Sequence, residues 1–433
     1  MTRVGGFRTC RPLASLLLGG ITLVGAGSFR SASGQVLPYG PEFQVNTYTT
    51  SNQLAPRVVA QPGGGFAIVW CCGSSGGGAA VVARRFDASG LPLAGEATVS
   101  EQVPQHPTGL AGDGAGNLVA IWGRGVPGPG GGNPANVKAR RLDAALVPLG
   151  SQFVVNEGGP GEYLSGGRVA SQPGGEFVVV WEDYGGWARA FDDAGAPLGP
   201  SFVIPGSTGQ SSYPSIAPLP AGEFLVAWRE VPGPGGTQLR ARRYDSEGDP
   251  VGDDISIAEG SEAPSDVRVA THSSGSFVAA WRSWAGGEEH VRARRFAADG
   301  SSLGNPFQVD SGNADSRYVD GVAIESDGAF VVTWSEISYD DNLSWEVSVR
   351  RYAADGIALG APFRLNSYTT SSQDGAELAV LESGDLLVTW SSFGSTGDDD
   401  LGSSVQARRF QVPFFMDGFE SGDTWRWSNA GTR

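Results

Sequence analysis

Seven five-residue runs ending in tryptophan recur at intervals of 47 to 59 residues: FAIVW (66–70), LVAIW (118–122), FVVVW (177–181), FLVAW (224–228), FVAAW (277–281), FVVTW (330–334) and LLVTW (386–390). A period near 50 residues marks a chain of stacked supersecondary units. Each run follows a glycine-rich turn and a short apolar segment, as in RVVAQPGGGFAIVW, which reads as a hairpin from residue 57 to Trp70. A third segment follows: ARRFD (83–87), ARRLD (139–143), ARAFD (188–192), ARRYD (241–245), ARRFA (293–297), VRRYA (349–353) and ARRFQ (407–411). A turn and a short strand such as FVVN (153–156), FVIP (202–205), ISIA (255–258), FQVD (307–310) or FRLN (363–366) complete the unit. Four strands, a to d, repeat seven times.

Four-stranded antiparallel units of this length predict an all-β, seven-bladed β-propeller. Each blade packs on two neighbours, so near-continuous apolar runs such as FVVVW fit burial on both faces. Burying one Trp is worth roughly 2–3 kcal/mol, which makes seven at equivalent positions inter-blade core. The ends are offset by one strand. FQVN (43–46) is a lone d strand, the last repeat stops after its c strand, and FQVNTYTTSNQ (43–53) matches FRLNSYTTSSQ (363–373) at seven of eleven positions. The N-terminal strand is therefore expected to complete the last blade and remove two exposed edges.

Upstream, Arg3, Arg8 and Arg11 precede an apolar stretch from Leu13 to Val24, and small residues follow, which reads as an export signal over 1–33. The remaining divisions are a linker at 34–40, the propeller at 41–410 and a tail at 411–433. Removing 1–33 takes away four arginines and no acids, moving the net charge from −16 to −20. Nucleic acid and anionic membranes are poor partners for such a surface. The expected location is extracytoplasmic: secreted, periplasmic or at the cell surface. The mature chain keeps only the adjacent Cys71 and Cys72. That excludes a small disulfide-stapled fold and leaves either a vicinal disulfide or two packing residues.

The doubled arginines, such as Arg84-Arg85 and Arg350-Arg351, tempt a reading as an anion site. Neighbouring strand residues face opposite ways, so one Arg per strand is expected to enter an inter-blade space and pair with carboxylates or carbonyls. The ARRFDxxGxxLGxxFxVN pattern with NTYTT and GGFxVxW resembles repeats of bacterial secreted and surface proteins over about residues 41–410. The tail FFMDGFESGDTWRWS (414–428) is similar to the DGFESGD-type ending of exported bacterial proteins. These resemblances imply architecture and export but no reaction.

Strand alternation sends a–b and c–d turns to one end of the propeller and b–c and d–a connections to the other. The first set is uniform, whereas the b–c segments vary from EDYGGW to GRGVPGPGGGNPAN. Variable loops on a regular scaffold are where binding resides. They hold the candidate ligand-binding residues Tyr184, Trp187, Trp284, Tyr339, Trp345, Asp340 and Asp341, aromatic planes beside carboxylates that suit sugar stacking or a cationic peptide. The competing reading is that each aromatic covers its own blade edge. No cofactor is indicated: Asp398 to Asp400 offer clustered oxygens for calcium, but no DxDxDG loop accompanies them. No GxSxG, phosphate loop, HExxH or SxDxGxTW turn is present, so no catalytic residue is assigned. The sequence favours a binding or adhesion propeller contacting carbohydrate or protein. The alternatives are a glycan-active hydrolase or lyase with carboxylates at the top centre, and a non-catalytic envelope component.

Overall fold

A computed structural model of the chain describes residues 37–49, 51–73, 79–100, 106–123, 136–157, 165–183, 185–205, 213–231, 236–260, 262–312, 314–337, 344–394 and 402–411. All belong to the compact unit Ser33–Arg433. The expected export signal (1–33) and tail (apart from Gln411) lie outside the described residues.

Seven antiparallel sheets of four strands make the blades. The first blade comprises strands Gln53–Ala60, Phe66–Gly73, Ala79–Phe86 and Ala97–Thr98, in spatial order a-b-c-d. The next five start at His106, Ser165, Ser215, Ser265 and Ser316. The seventh holds Gln373–Val380, Leu386–Phe393 and Ser403–Gln411, and its fourth strand is the N-terminal Leu37–Gln44. The closing strand pairs antiparallel with Ser403–Gln411, Phe43 opposite Ala407. It begins at Leu37, inside the segment read as a linker. Neighbouring a strands lie side by side around the ring, the last against the first. The only helical segment among the described residues is the 3-10 turn Pro220–Gly222.

Seven buried clusters fill the seven inter-blade spaces. Phe66, Ile68 and Trp70 pack with Leu387 and Ala407 of the last blade, while Ala67 and Val69 join Leu118, Ala120 and Trp122 of the second. The same alternation recurs at every junction: one face of a b strand presents Phe or Leu together with Trp to the preceding blade, and the other presents aliphatic residues or Thr to the following one. Period-2 geometry thus turns a continuous apolar run into two half-interfaces.

Two further repeat features hold the ring together, one between blades and one within them. The first Arg of five doublets, and the single Arg189 of the third blade, donate Nη1 to the preceding blade: Arg84 to Val45 O, Arg140 to Val99 O, Arg189 to Val155 O, Arg294 to Ile257 O, Arg350 to Val309 O and Arg408 to Leu365 O, at 2.8–3.4 Å; Arg242 pairs instead with Asp254 of its own blade at 2.6 Å. The second Arg serves the other face: Arg351 makes a bidentate pair with Glu325 at 2.7 and 2.6 Å, and Arg409 reaches Asp385 at 2.8 Å and the Ala88 carbonyl of the first blade. Both arginines, not one, therefore enter inter-blade space, because both faces of the strand are covered. The polar residue closing each FxVN segment is a clamp. Ser100, Asn156, Asp310, Asn366 and Asn46 accept the N–H of Val81, Val137, Val291, Val347 and Val405 at 2.8–3.0 Å.

Several b strands run past their Trp; the fifth extends over Phe277–Ala285 and turns at Gly286-Gly287 into Glu288–Phe296. Both glycines have positive φ, 67° and 94°, as a two-residue hairpin of right-handed twist requires. Cys71 and Cys72 are unpaired on the first b strand; Cys71 is buried, which pushes its thiol up to about 12.

Candidate functional site

The a strands circle the axis, so the b–c and d–a connections emerge together at one end. Tyr184, Tyr339, Asp340 and Asp341 of the expected site, and Asp398 to Asp400, lie outside the described residues. The three tryptophans are described, and all sit on strand ends, not in loops, because the ladders continue further than the repeat pattern indicates.

Their surroundings differ. Trp187 pairs across the ladder with Trp181, packs against the cluster between the second and third blades, and donates its indole N–H to Asp183 O at 3.0 Å. It covers its own blade edge. Trp284 lies opposite Glu289 in the fifth-blade hairpin and is 50% exposed. Trp345 opens the c strand of the sixth blade and packs at 5.1 Å, tilted by 37°, against Tyr318, an a-strand residue that sequence reasoning passed over. Arg282, two residues before Trp284 on the same strand face, holds its guanidinium 5.0 Å from the Tyr318 ring centroid. Trp284, Arg282, Tyr318 and Trp345 therefore form an aromatic and cationic rim across two blades.

The rim is braced from below. Glu289 accepts from Ser316 Oγ at 2.9 Å and from the Arg317 N–H at 2.7 Å, and lies 3.3 Å from Arg282 Nη1. The Arg317 side chain is buried, at 1% exposure, and donates to Glu336 at 3.1 Å and to Gly312 O at 2.9 Å. Arg282, Glu289, Arg317 and Glu336 are thus each paired, which fixes their rotamers before a ligand arrives.

A second constellation lies on the axis. The a-strand residue thirteen positions before each core Trp pairs in register with the residue preceding that Trp: Arg57, Gly109, Arg168, Ser215, Arg268, Gly321 and Glu377. All except Ser215 follow a β-bulge, which re-aims the side chain. At Asp266 the bulge needs φ +58°, a conformation Asp adopts more readily than most residues. Arg168 interacts electrostatically with Arg268, Glu377, Arg57 and Asp266, residues from alternate blades that can meet only at the axis. Arg57 Nε donates to Thr108 O at 3.0 Å and lies 3.8 Å from Glu377; Arg268 reaches Asp266 at 3.0 Å and Asp320 O at 3.3 Å. Burial pushes the Asp320 carboxyl up to about 7 against the opposing hydrogen bond from Ser335 Oγ at 2.6 Å, and burial also raises Asp374. The missed signal was the recurring Arg-Val of RVVA (57–60), RVAS (168–171) and RVAT (268–271), at constant distance from its Trp.

Among the described residues no group of three or more His, Cys, Asp or Glu side chains is placed to hold a metal ion, and no helix is long and apolar enough to cross a membrane. No family model and no curated protein matches the sequence. Solved structures do resemble the fold. A protein of unknown function from Dyadobacter fermentans aligns with TM-score 0.53 and 10% identity over 88% of this chain and 100% of its own. A polysaccharide lyase described as an ulvan lyase aligns with TM-score 0.53 and 9% identity over 84% of this chain and 97% of its own. At such identities the likeness is one of architecture, and this chain is a seven-bladed β-propeller.

Proposed function

We propose that the protein is a secreted binding propeller that holds carbohydrate on the rim of its fifth and sixth blades, with Trp284 as the stacking plane. The supporting observation is the half-exposed Trp284 indole beside the Arg282–Tyr318–Trp345 group. A flat apolar surface edged by fixed hydrogen-bonding groups matches the alternating faces and hydroxyl rim of a sugar ring. A protein ligand inserting a cationic side chain is the other occupant this rim suits. The test is a glycan and polysaccharide array on the wild-type protein, Trp284→Ala and Trp187→Ala. Binding lost in the first variant and kept in the second supports the reading; binding retained in Trp284→Ala sinks it.

A second reading, glycan-active hydrolase or lyase, draws support from the axial acids. A carboxyl raised to about 7 is half-ionised near neutral pH, the condition a general acid or base needs. Turnover assayed on each bound polysaccharide, with Asp320→Asn alongside, tests it. Undiminished turnover in the variant excludes Asp320 from the chemistry.

A further inference from the structure

The end of the propeller opposite the rim is apolar on one side. Each c–d turn brings the chain back across its c strand, Pro92 opposite Phe86 in the first blade and Pro38 opposite Phe410 in the seventh. The residue after this crossing is apolar in every blade, from Leu93 in the first to Tyr39 on the closing strand, and six of the seven are exposed. The residue before the crossing is not uniform. It is Ile357 in the sixth blade, Leu91 in the first and Val147 in the second, each 56–65% exposed, but Ala196, Asp249 and Ser301 in the third, fourth and fifth. An exposed apolar arc therefore runs from the sixth blade to the second and gives way to small or polar residues on the far side.

The arc is centred where the chain leaves the ring. In six blades the c strand runs on into its own turn; in the seventh it ends at Gln411, opposite Leu37 of the closing strand. Two residues earlier, Arg409 donates to Ala88 O in the c–d turn of the first blade and holds its guanidinium 5.5 Å from the Tyr39 ring centroid. Gln411 is thus at the level of the arc, beside Tyr39 and the turn that carries Leu91 and Leu93. The residues that follow it in sequence are Val412-Pro413-Phe414-Phe415-Met416, with Phe419 close behind. At about 3.5 Å per residue, Phe414 lies within roughly 10 Å of Gln411 and Phe419 within roughly 28 Å. A seat is also present: Pro62, Leu93, Ala115 and Ala144 help to line an open depression of about 270 Å³ between the first and second blades.

We infer that this arc is the docking surface for the chain's own C-terminal segment, Val412 to Phe419, with Phe414 and Phe415 against Tyr39 and Leu91 and Phe419 in the depression beside Leu93. Clustered exposed apolar residues mark a contact surface, and an aromatic side chain buries roughly 150–250 Å² when covered. A segment tethered at Gln411 meets the arc at high effective concentration, so a few side chains are enough to hold it. A free partner gives no reason for the arc to be centred on the point of exit. The surface lies at the opposite end from the rim and shares no residue with it.

The test is photo-crosslinking of the full chain with benzoylphenylalanine in place of Phe415, at a low and a high protein concentration, with adducts mapped by mass spectrometry. Adducts within one chain, on the closing strand near Tyr39 or on the first-blade turn from Ala88 to Leu93, are expected at a yield that does not change with concentration. Leu91→Asp combined with Leu93→Asp removes the adducts on the first blade, whereas Leu303→Asp on the far side leaves them. These positions are exposed, so the variants keep the wild-type Tm, and the melts show that a lost adduct is not a lost fold. Adducts that join two chains and grow with concentration assign the arc to a second copy and overturn the inference. Adducts absent, or scattered over other blades, overturn it, as do first-blade adducts that survive in the double variant. Flotation of the full chain with phosphatidylcholine vesicles, lost in the double variant, assigns the arc to a membrane and likewise overturns it.

Discussion

Asn46 Oδ1 accepts the backbone N–H of Val405 at 2.9 Å, joining residues 359 positions apart. The Val45 N–H donates to the carbonyl of the same Val405 at 2.8 Å. The equivalent clamp inside a blade, Asn156 on Val137, spans only 19 positions. Asn46→Ala leaves a buried N–H without its acceptor and is expected to cost about 1–3 kcal/mol. Urea unfolding checks this. A loss below about 0.5 kcal/mol would mean that the N-terminal strand contributes little to closure.

The tryptophans separate structure from recognition. Trp281 is 1% exposed and Trp284, three residues on, is 50% exposed. Trp281→Ala should destabilise by about 3–5 kcal/mol, and Trp284→Ala by no more than about 0.5 kcal/mol. Denaturation of both variants measures the contrast; comparable losses would place Trp284 in the core and remove it as a ligand contact.

The buried pair of Arg351 and Glu325, 4% and 7% exposed and 2.6 Å apart, offers a double-mutant test. Arg351→Met alone strands a buried carboxylate and is expected to cost about 3–5 kcal/mol. Adding Glu325→Leu should restore most of that loss, since an apolar replacement of both partners is often near neutral. If the double variant is as unstable as the single one, the pair acts through geometry beyond charge balance.

Asp320 makes stability depend on pH in a direction opposite to most carboxylates. Its folded-state pKa, about 7, lies above the 3.8 of an unperturbed Asp, so the folded protein binds the extra proton. Its penalty is absent below 3.8, grows as pH rises and is complete above 7. The displacement corresponds to at most about 4 kcal/mol, reduced because Asp320 is partly exposed. Asp320→Asn should therefore stabilise the protein at pH 8 and leave it nearly unchanged at pH 4. Melts of the two proteins across that range check the sign; a gain at pH 4 that fades by pH 8 would contradict it.

Architecture was legible because a propeller repeats its burial pattern, and a pattern repeated seven times survives the loss of any one residue. The closing strand was legible for the same reason: FQVN at residue 43 and FRLN at residue 363 occupy one structural position. The candidate sites were harder. Trp187 and Trp284 look alike in sequence, each beyond a core Trp and near acids, yet one caps a blade and the other faces solvent. What separates them is ladder length: the b strand of the fifth blade runs on to Ala285, whereas that of the third ends at Glu182. The axial arginines escaped notice because each is a single residue in its own blade; only the ring brings Arg57, Arg168 and Arg268 together.

The shared ownership of the last blade also fixes an order of events. Leu37–Gln44 leaves the ribosome before any other strand of the propeller, whereas its partner Ser403–Gln411 leaves last. Throughout synthesis the leading strand has an open hydrogen-bonding edge that a strand of another copy can occupy. Ring closure is thus the step at which a monomer and a strand-exchanged assembly part ways, and the slow, long-range contact that completes the fold also determines how many chains share it.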